Sequence, residues 1–387
     1  MSVLPFQGGS HLTLGAEIEF QLIDPESLDL CGRAEDVLRL ARRHSDRVTP
    51  EIFQSMVEIN SNICETVTAI DADMSAHIAV LQEAARVSDV LLSTTGSHPT
   101  ARYSERRIFE NERYKKLLDR NQWIARRLMI FGLHIHLGMK DAETCILYNN
   151  FFLHFIPHLL ALSASSPFWQ GDATGLASCR ATVFEAMPTG GHPCRFQNWR
   201  DFSDTCQALL ASKAIHSHKD LWWDLRPSPD YGTLEIRVCD GVATMRETLA
   251  IVAFAHGLAR WYENHVEQAP ALVYELGSPP PMWLIRENKW RALRHGLGAE
   301  IVVGADGKNV PLAEDIRFWL KQVQPFSDAL GDTKYLAGIH EILEKGASHA
   351  RQQARFAKSG DLTDVISHNC DEFAFGAPLW PAESAAA

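Results

Sequence analysis

TLGAEIEFQL, residues 13–22, is the stretch from which the fold can be inferred. Apolar and polar side chains alternate strictly along it, which is the period of a β-strand with one face packed on a core. Glu17 and Glu19 therefore share the non-core face, where residues two apart are only about 7 Å from each other. Two carboxylates this close repel each other unless a cation holds them, so the strand predicts either a solvated polar face or part of a cation site.

The composition is that of a globular protein able to bury an extensive core. The chain has 387 residues, 46% of them hydrophobic, and we find no repeat or linker that divides it. We expect a single domain over residues 1–387, with its core at about 12–300, a helical carboxy-terminal part at about 313–370 and a frayed tail at 381–387. The net charge is −11 and no basic cluster is long enough to follow a phosphate backbone, so nucleic acid is not an expected partner.

Three sequence features bear on the compartment. The first residues, MSVLP, lack the basic and apolar regions of a signal peptide. No uncharged apolar run reaches the roughly 18 residues that a membrane helix needs, and the apolar stretch 142–165 is interrupted by Pro157, which predicts a core helix. The eight cysteines are scattered without a C-x-x-C pair, which indicates reduced thiols. We therefore expect a cytoplasmic protein that does not bind membranes.

A second strand with a polar face lies at LHIHLGM, residues 133–139. Its apolar residues alternate with His134, His136 and Gly138, so both imidazoles lie on one face. A lone histidine is most often a satisfied core or surface residue. Two histidines on one strand face predict a metal or phosphate role as readily as a structural one.

A third such strand, TLEIRVC at residues 233–239, follows a turn that contains proline and glycine. The alternation places Glu235, Arg237 and Cys239 on the face away from the core. The carboxylate and the guanidinium could form a surface ion pair of little energetic value. Beside the other polar strand faces, they indicate instead a metal ligand and a group that binds phosphate.

Two more carboxylates could join the same polar surface. Glu58 stands among apolar neighbours in a strand-like stretch, where an ionised carboxylate is costly unless it is hydrogen-bonded or coordinated to a cation. Glu51 could reach the same point if the chain turns near residues 53–54. By contrast, we expect Arg120, Arg126 and Arg127 of the basic helix 111–127 to be solvated, and the stretch HSHK at 216–219 to be surface.

The candidate ligands are mostly carboxylates, which suit Mg²⁺ or Mn²⁺, and an added imidazole is compatible with Mn²⁺. Metals held in this way commonly bind nucleotide phosphates. The chain has neither a G-x-x-x-x-G-K-[ST] loop nor a G-x-G-x-x-G turn after a strand, so a P-loop or Rossmann nucleotide site is not expected. Arg180 and Arg195 could serve an anionic ligand.

Six motifs occur in order along most of the chain. They are GAEIEF at 15–20, GSHP at 96–99, NERY at 111–114, HIHLG at 134–138, SPFWQG at 166–171 and WDLRPSPDYGTLEIRV at 223–238. Any one of them is weak, but the ordered set is highly specific. Over about residues 12–298 it resembles the carboxylate-amine ligases of the glutamate-cysteine ligase type 2 family.

The resemblance implies an α+β catalytic domain with a glutamine synthetase-like fold. In that fold a curved antiparallel sheet carries helices on its outer face and holds ATP and two or more Mg²⁺ ions, or Mn²⁺ in their place, on its concave face. The residues matched to metal are Glu17, Glu51 and Glu58 in one set and Glu19, His134 and Glu235 in another. The residues matched to ATP phosphates or a substrate carboxylate are His136, Arg237, Arg226 and Arg180. Arg237 and Arg226 would be catalytic.

The activity that the resemblance implies is ATP-dependent amide formation between a glutamate-like carboxylate and an amine. The bond would be of the γ-glutamyl type, formed through an acyl phosphate and with weak glutamate–cysteine ligase activity, and the enzyme would be a homodimer. Two alternatives stay open. One is a phosphotransferase that stops at a phosphorylated product, and the other is a non-catalytic protein that binds metal or nucleotide.

Overall fold

One antiparallel sheet organises the molecule, whose computed structural model describes residues 3–266, 281–304 and 306–380. The strands in chain order are β1 (Thr13–Ile23), β2 (Val48–Pro50), β3 (Met56–Asn60), β4 (Leu91–Ser93), β5 (Gly132–Gly138), β6 (Phe168–Trp169), β7 (Asp172–Ala173), β8 (Gly190–Gly191), β9 (Trp222–Trp223), β10 (Leu225–Ser228), β11 (Thr233–Asp240), β12 (Glu300–Val302) and β13 (Asn309–Pro311). Within the described residues the main sheet has seven strands in the order β10-β11-β5-β1-β3-β2, and β4 also pairs with β1. Every pair in it is antiparallel.

Helices cover one face of this sheet. In chain order they are α1 (Ala34–Ala41), α2 (Val67–Val87), α3 (Glu112–Asn121), α4 (Trp123–Arg126), α5 (Ala142–Phe152), α6 (Ile156–Ser163), α7 (Cys179–Glu185), α8 (Trp199–Ala211), α9 (Met245–His265), α10 (Met282–His295), α11 (Leu312–Leu330), α12 (Thr333–Lys345), α13 (Ser348–Ser359) and α14 (Leu362–Phe375). The alternating apolar side chains of β1, β5 and β11 are buried in one cluster with those of α2, α6 and α9. The predicted α+β class is therefore confirmed, because the sheet buries its apolar face under helices and leaves the opposite face for polar side chains.

The apolar stretch predicted as a core helix is helical in two pieces. α5 ends at Phe152, a short 3₁₀ turn follows, and Pro157 lies in the first turn of α6, where its missing N–H costs no hydrogen bond. By length and composition 142–163 could cross a membrane, but 83% of its most apolar window is buried inside the protein. The burial is that of a core helix, as predicted.

α2 begins at Val67, because the Thr66 side chain accepts a hydrogen bond from the Ala69 N–H and caps the helix there. The carboxy-terminal part, predicted to be helical at about 313–370, consists of four helices from Leu312 to Phe375. Residues 267–280 and the tail at 381–387, which was predicted to be frayed, lie outside the described residues.

A buried ion triad joins the carboxy-terminal helices to the core. The Arg351 guanidinium on α13 donates to Glu247 on α9 at 2.8 Å and to Glu372 on α14 at 2.6 Å. All three side chains are almost fully buried. Such a triad is costly to break from one side, because the remaining charges would be buried without partners.

Candidate active site

The polar face of the sheet brings four of the predicted residues into direct opposition. Across the β1–β5 pair, Glu17 lies opposite His134, and across the β1–β3 pair Glu19 lies opposite Glu58. Directly opposed residues of an antiparallel pair have their Cβ atoms about 5 Å apart, so their side chains meet. Strand pairing therefore brings residues from three separate stretches of the sequence together on one surface.

The next pair of strands extends the same surface. Glu235 on β11 lies opposite His136 on β5 and opposite Arg226 on β10. The Arg226 Nη2 atom is 2.6 Å from the Glu235 carboxylate, and Arg237 also pairs with that carboxylate. Burial opposes ionisation of Glu235, but the two guanidiniums together lower its pKa to about 2.

One prediction for β11 is wrong. Cys239 was expected beside Glu235 and Arg237 on the polar face, but it is buried in the core against α6. The cause is an irregularity in the pairing with β5 between Ile236 and Cys239, which shifts the alternation by one residue. At this point the Arg237 N–H leaves the sheet ladder and donates to the Asp224 carbonyl oxygen at 2.7 Å.

Glu51 reaches the site from the loop after β2. The N–H of Ile52 donates to a Glu51 carboxylate oxygen at 2.9 Å, which helps to hold the side chain in place. One carboxylate oxygen each from Glu19, Glu51 and Glu58 lies within 4.8 Å of the others. The chain thus turns after Glu51, as the sequence analysis required if Glu51 was to reach the other carboxylates.

The polar face of the sheet lines one large cavity. Its volume is about 920 Å³, within the range of pockets that hold small-molecule ligands. Most of the predicted residues line it, namely Glu17, Glu19, Glu51, Glu58, His134, His136, Arg226 and Arg237. Glu235 and Arg180 are buried immediately behind the wall, since each contacts Arg237.

Three groups of ligand atoms in this cavity are close enough to share a cation. The groups are Glu19, Glu51 and Glu58; Glu17, Glu58 and His134; and Glu17, His136 and Glu235. Glu17 and Glu58 each belong to two groups and could bridge neighbouring ions. The family resemblance implied two sets of three metal ligands. The three groups in the structure contain all six of those ligands and also His136, but they combine them differently.

The electrostatics of the carboxylates fit a divalent cation. Burial and the nearby Glu19 carboxylate raise the pKa of Glu51 to about 8, and burial raises the pKa of Glu19 to about 6. Burial and repulsion from its neighbours raise the pKa of Glu58 well above its usual value. All three could be ionised together at neutral pH only with a cation between them. Their oxygens are the ligands that Mg²⁺ and Mn²⁺ prefer.

Glu17 is held differently, between two imidazoles. The His134 Nδ1 and His136 Nε2 atoms are each 3.0 Å from one of its carboxylate oxygens. Burial opposes ionisation, but the two histidines lower the pKa of Glu17 well below its usual value. Burial and the Arg237 charge lower the pKa of His134 to about 4, so its neutral form can act as a metal ligand.

Two arginines lie together at the cavity, Arg237 in its wall and Arg180 buried behind Arg237. The Nε atoms of Arg180 and Arg237 are buried and lack a hydrogen-bond partner within the described structure. The Arg180 guanidinium lies against Gly132, where a Cβ atom would collide with it. Its two Nη atoms are 3.4 Å from the Arg237 carbonyl oxygen. Buried guanidinium groups with spare N–H donors are suited to bind phosphate or carboxylate.

Several residues that line the cavity were not predicted. Arg113 lies at the start of the basic helix whose later arginines were expected to be solvated, and His218 and Lys219 come from the stretch that was expected to be surface. Trp222 lies beneath the Arg237 guanidinium at 5.8 Å from ring centre to Cζ. The NERY motif contains Arg113 and was the available signal for it, whereas His218 and Lys219 had no distinguishing pattern.

The family model for glutamate-cysteine ligase family 2 matches residues 13–368. The chain belongs to this family. Membership confirms the resemblance found in the motifs and the enzyme class that it implied, a ligase that forms C–N bonds.

Individual relatives support the assignment of this chain to the family. A Bdellovibrio bacteriovorus protein, provisionally named glutamate–cysteine ligase 2, is 45% identical over 370 residues, or 96% of this chain and 97% of the relative. A Gloeobacter violaceus protein of the same provisional name is 38% identical over 94% of this chain and 97% of its own length.

Solved structures confirm the fold of this chain. Glutamate–cysteine ligase from Francisella tularensis, in complex with AMP, superposes with a TM-score of 0.65 at 12% identity and covers 97% of this chain and 91% of its own. A bifunctional glutathione synthetase from Pasteurella multocida gives 0.63 at 14% identity over 94% of this chain and 52% of its own. The predicted fold of an antiparallel sheet with helices on its outer face is thus confirmed.

Proposed function

We propose that this chain joins a glutamate-like carboxylate to an amine in an ATP-dependent reaction through an acyl phosphate. The observation that supports this is the single cavity of about 920 Å³ in which carboxylates and imidazoles face arginines. Pockets of this size accommodate a nucleotide-sized ligand. The names of the relatives and the AMP in the Francisella enzyme agree with the proposal.

The chemistry explains why ATP is needed. A carboxylate is a poor acyl donor because its leaving group would be oxide. A carboxylate oxygen therefore attacks the γ-phosphorus of ATP, which forms an O–P bond and breaks the bond to ADP. The amine nitrogen then attacks the acyl carbon, the C–O bond to phosphate breaks, and the nitrogen loses a proton. No protein nucleophile is required.

The proposal includes divalent metal ions bound by the acidic groups of the cavity. The three clusters around Glu17 and Glu58 would hold Mg²⁺ or Mn²⁺, because their donor atoms are carboxylate oxygens and imidazole nitrogens within 4.8 Å of one another. When bound, such ions neutralise charge on the phosphate oxygens. Asn60 supports this surface, since its Nδ2 donates to Glu58 at 2.9 Å and orients the carboxylate.

The arginines would stabilise charge from the other side. Arg237 and Arg226 are fixed by Glu235, so their guanidiniums are oriented before a ligand arrives. Prearranged charges act at the reacting phosphate without reorganising during the reaction. Arg180, with its buried and unpartnered Nε, would bind a phosphate or carboxylate oxygen beside them. Catalysis would then consist of positioning and electrostatic stabilisation.

The proposal is tested by a screen of acids and amines for ATP-dependent phosphate release, with the amide product identified by mass spectrometry. Glu19→Gln and Arg237→Ala should lose activity, whereas Glu65→Gln, at an exposed carboxylate outside the cavity, should keep it. Hydroxylamine added in place of the amine should trap the acyl phosphate as a hydroxamate. A stable phosphorylated product would indicate a phosphotransferase, and ATP binding without turnover would indicate a non-catalytic protein.

We propose in addition that the enzyme is cytoplasmic and forms a homodimer with one folding unit per chain. Every cysteine within the described residues is a free thiol, which agrees with a reducing compartment. The dimer is tested by sedimentation, which should give twice the chain mass of 43.3 kDa. A single cooperative unfolding transition would support one domain.

A further inference from the structure

A second, smaller cavity adjoins the main one. It has a volume of about 270 Å³ and we call it the side pocket. Arg113, Lys219 and Trp222 line both cavities, so the two share a wall. The other residues that line it are Tyr114, Lys116, Leu117, Arg120, Asn121, Met187, Thr189, His216, Ser217 and Asp220.

One face of α3 supplies most of the charge in the side pocket. Arg113, Lys116 and Arg120 follow a spacing of three and four residues, which places them on the same side of a helix. Like charges at this spacing destabilise a helix by a few tenths of a kcal/mol per pair. None of the three forms an ion pair with a carboxylate in the described parts of the chain, and Arg120 only donates to the Lys213 carbonyl oxygen at 3.4 Å.

The one carboxylate in the side pocket is already engaged. Asp220 accepts hydrogen bonds from the N–H groups of His216 and Ser217, at 2.8 and 3.2 Å, and thereby caps a 3₁₀ turn. Lys219 adds a fourth cationic group to the wall, 3.8 Å from the exposed Asp230. The side pocket therefore has a surplus of positive charge in a chain whose net charge is −11.

We propose that the side pocket binds the second, non-reacting carboxylate of the acid substrate. This inference rests on the proposed ligase reaction and names the part of the site that selects a dicarboxylic acid. The reacting carboxylate would lie in the main cavity, where the proposed metal ions and Arg237 would be engaged by the triphosphate. The cationic face of α3 adjoins the main cavity, since Arg113 lines both cavities, and it can stabilise the second anion.

The size and the lining of the side pocket favour a small acid over a nucleotide. A volume of about 270 Å³ is below the roughly 300–1,000 Å³ typical of pockets for larger ligands. Tyr114, Leu117 and Met187 supply an apolar surface against which the methylene chain of such an acid can pack. ATP fits the larger cavity with its acidic and arginine-rich walls.

The test compares glutarate, which has two carboxylates, with butyrate, which has one. The full-length protein and the double variant Lys116→Gln/Arg120→Gln are assayed for binding of each acid by calorimetry and for turnover with ATP and an amine. Both residues are exposed, so the double variant should fold. We expect glutarate binding to weaken by about 10- to 100-fold and the KM for glutarate to rise by the same factor, because charge-assisted hydrogen bonds are lost. Values for butyrate and for Mg·ATP should not change.

The matched control is Arg126→Gln, which removes an exposed arginine from α4 outside both cavities and should leave all values unchanged. Equal glutarate affinity in the wild type and the double variant would overturn the inference. So would a double variant that loses Mg·ATP affinity instead, since the side pocket would then hold nucleotide. If no acid and amine are joined but glutarate binding still depends on the two cations, the proposed function fails and the anion subsite stands.

Discussion

Replacement of Glu58 by glutamine should leave the stability of the metal-free protein almost unchanged but greatly weaken metal binding. Ligand oxygens of Glu19, Glu51 and Glu58 lie within 4.8 Å of one another. At an effective dielectric constant of 20, two unit charges at that separation repel by about 3.5 kcal/mol. In the metal-free protein, burial and this repulsion raise the pKa of Glu58, which favours its protonated form.

Glu58→Gln resembles the protonated carboxyl in shape and charge, so it should change the free energy of unfolding of the metal-free protein by less than about 1 kcal/mol. The Asn60 Nδ2 can still donate to the amide oxygen. Metal binding, in contrast, loses one negative ligand that belongs to two of the clusters. We expect the affinity for Mn²⁺ or Mg²⁺ to fall by about 100-fold or more, since removal of one charge-assisted ligand costs roughly 3 kcal/mol.

The assay measures thermal unfolding with EDTA and with increasing Mn²⁺, together with calorimetric titration of the metal. The control is Glu65→Gln, the same change at an exposed carboxylate that pairs with His11. The control should keep both the metal-free stability and the metal-induced stabilisation. The reasoning is refuted if Glu58→Gln destabilises the metal-free protein by several kcal/mol, or if it retains wild-type metal affinity.

Three further predictions follow from the same structure. Metal affinity should rise as the pH increases above about 6, because Glu19 and Glu51, with pKa values of about 6 and 8, and Glu58, with a pKa raised well above its usual value, must release protons. Calorimetry in buffers of different ionisation enthalpy counts those protons, and a flat profile would contradict the raised pKa values. Gly132→Ala should reduce turnover by displacing the Arg180 guanidinium, while Gly298→Ala, at an exposed position with open space around it, should not. Equal activity in both variants would count against a role for that arginine. Arg351→Met should lower the free energy of unfolding by about 3–5 kcal/mol, because it leaves two buried carboxylates unpaired. A denaturant titration measures this loss, and a loss below about 1 kcal/mol would show that the triad adds little to stability.

Strand periodicity was sufficient to place side chains on a face of the sheet. It assigned Glu17 and Glu19 to one face of β1 and His134 and His136 to one face of β5, and the structure has them there. Periodicity could not predict register, because alternation is the same for every pairing of two strands that keeps their faces. The opposition of Glu17 with His134, and hence the grouping of the metal ligands, became known only from the structure.

Local irregularities and tertiary contacts account for what the sequence did not show. The misplacement of Cys239 came from an irregular pairing of β11, and nothing in the local alternation marks that position. Arg113 and Arg120 lie on a helix whose polar side chains look solvated in isolation. They line a pocket only because residues 216–222, about a hundred positions later, pack opposite them.

The most direct test of the central claim is anomalous diffraction from crystals grown with Mn²⁺ and a non-hydrolysable ATP analogue. The account predicts manganese peaks about 2.0–2.3 Å from oxygens of Glu17, Glu19, Glu51 and Glu58. It also predicts that the triphosphate lies between those ions and the guanidinium of Arg237. Manganese or nucleotide found elsewhere, with these carboxylates free of metal, would contradict it.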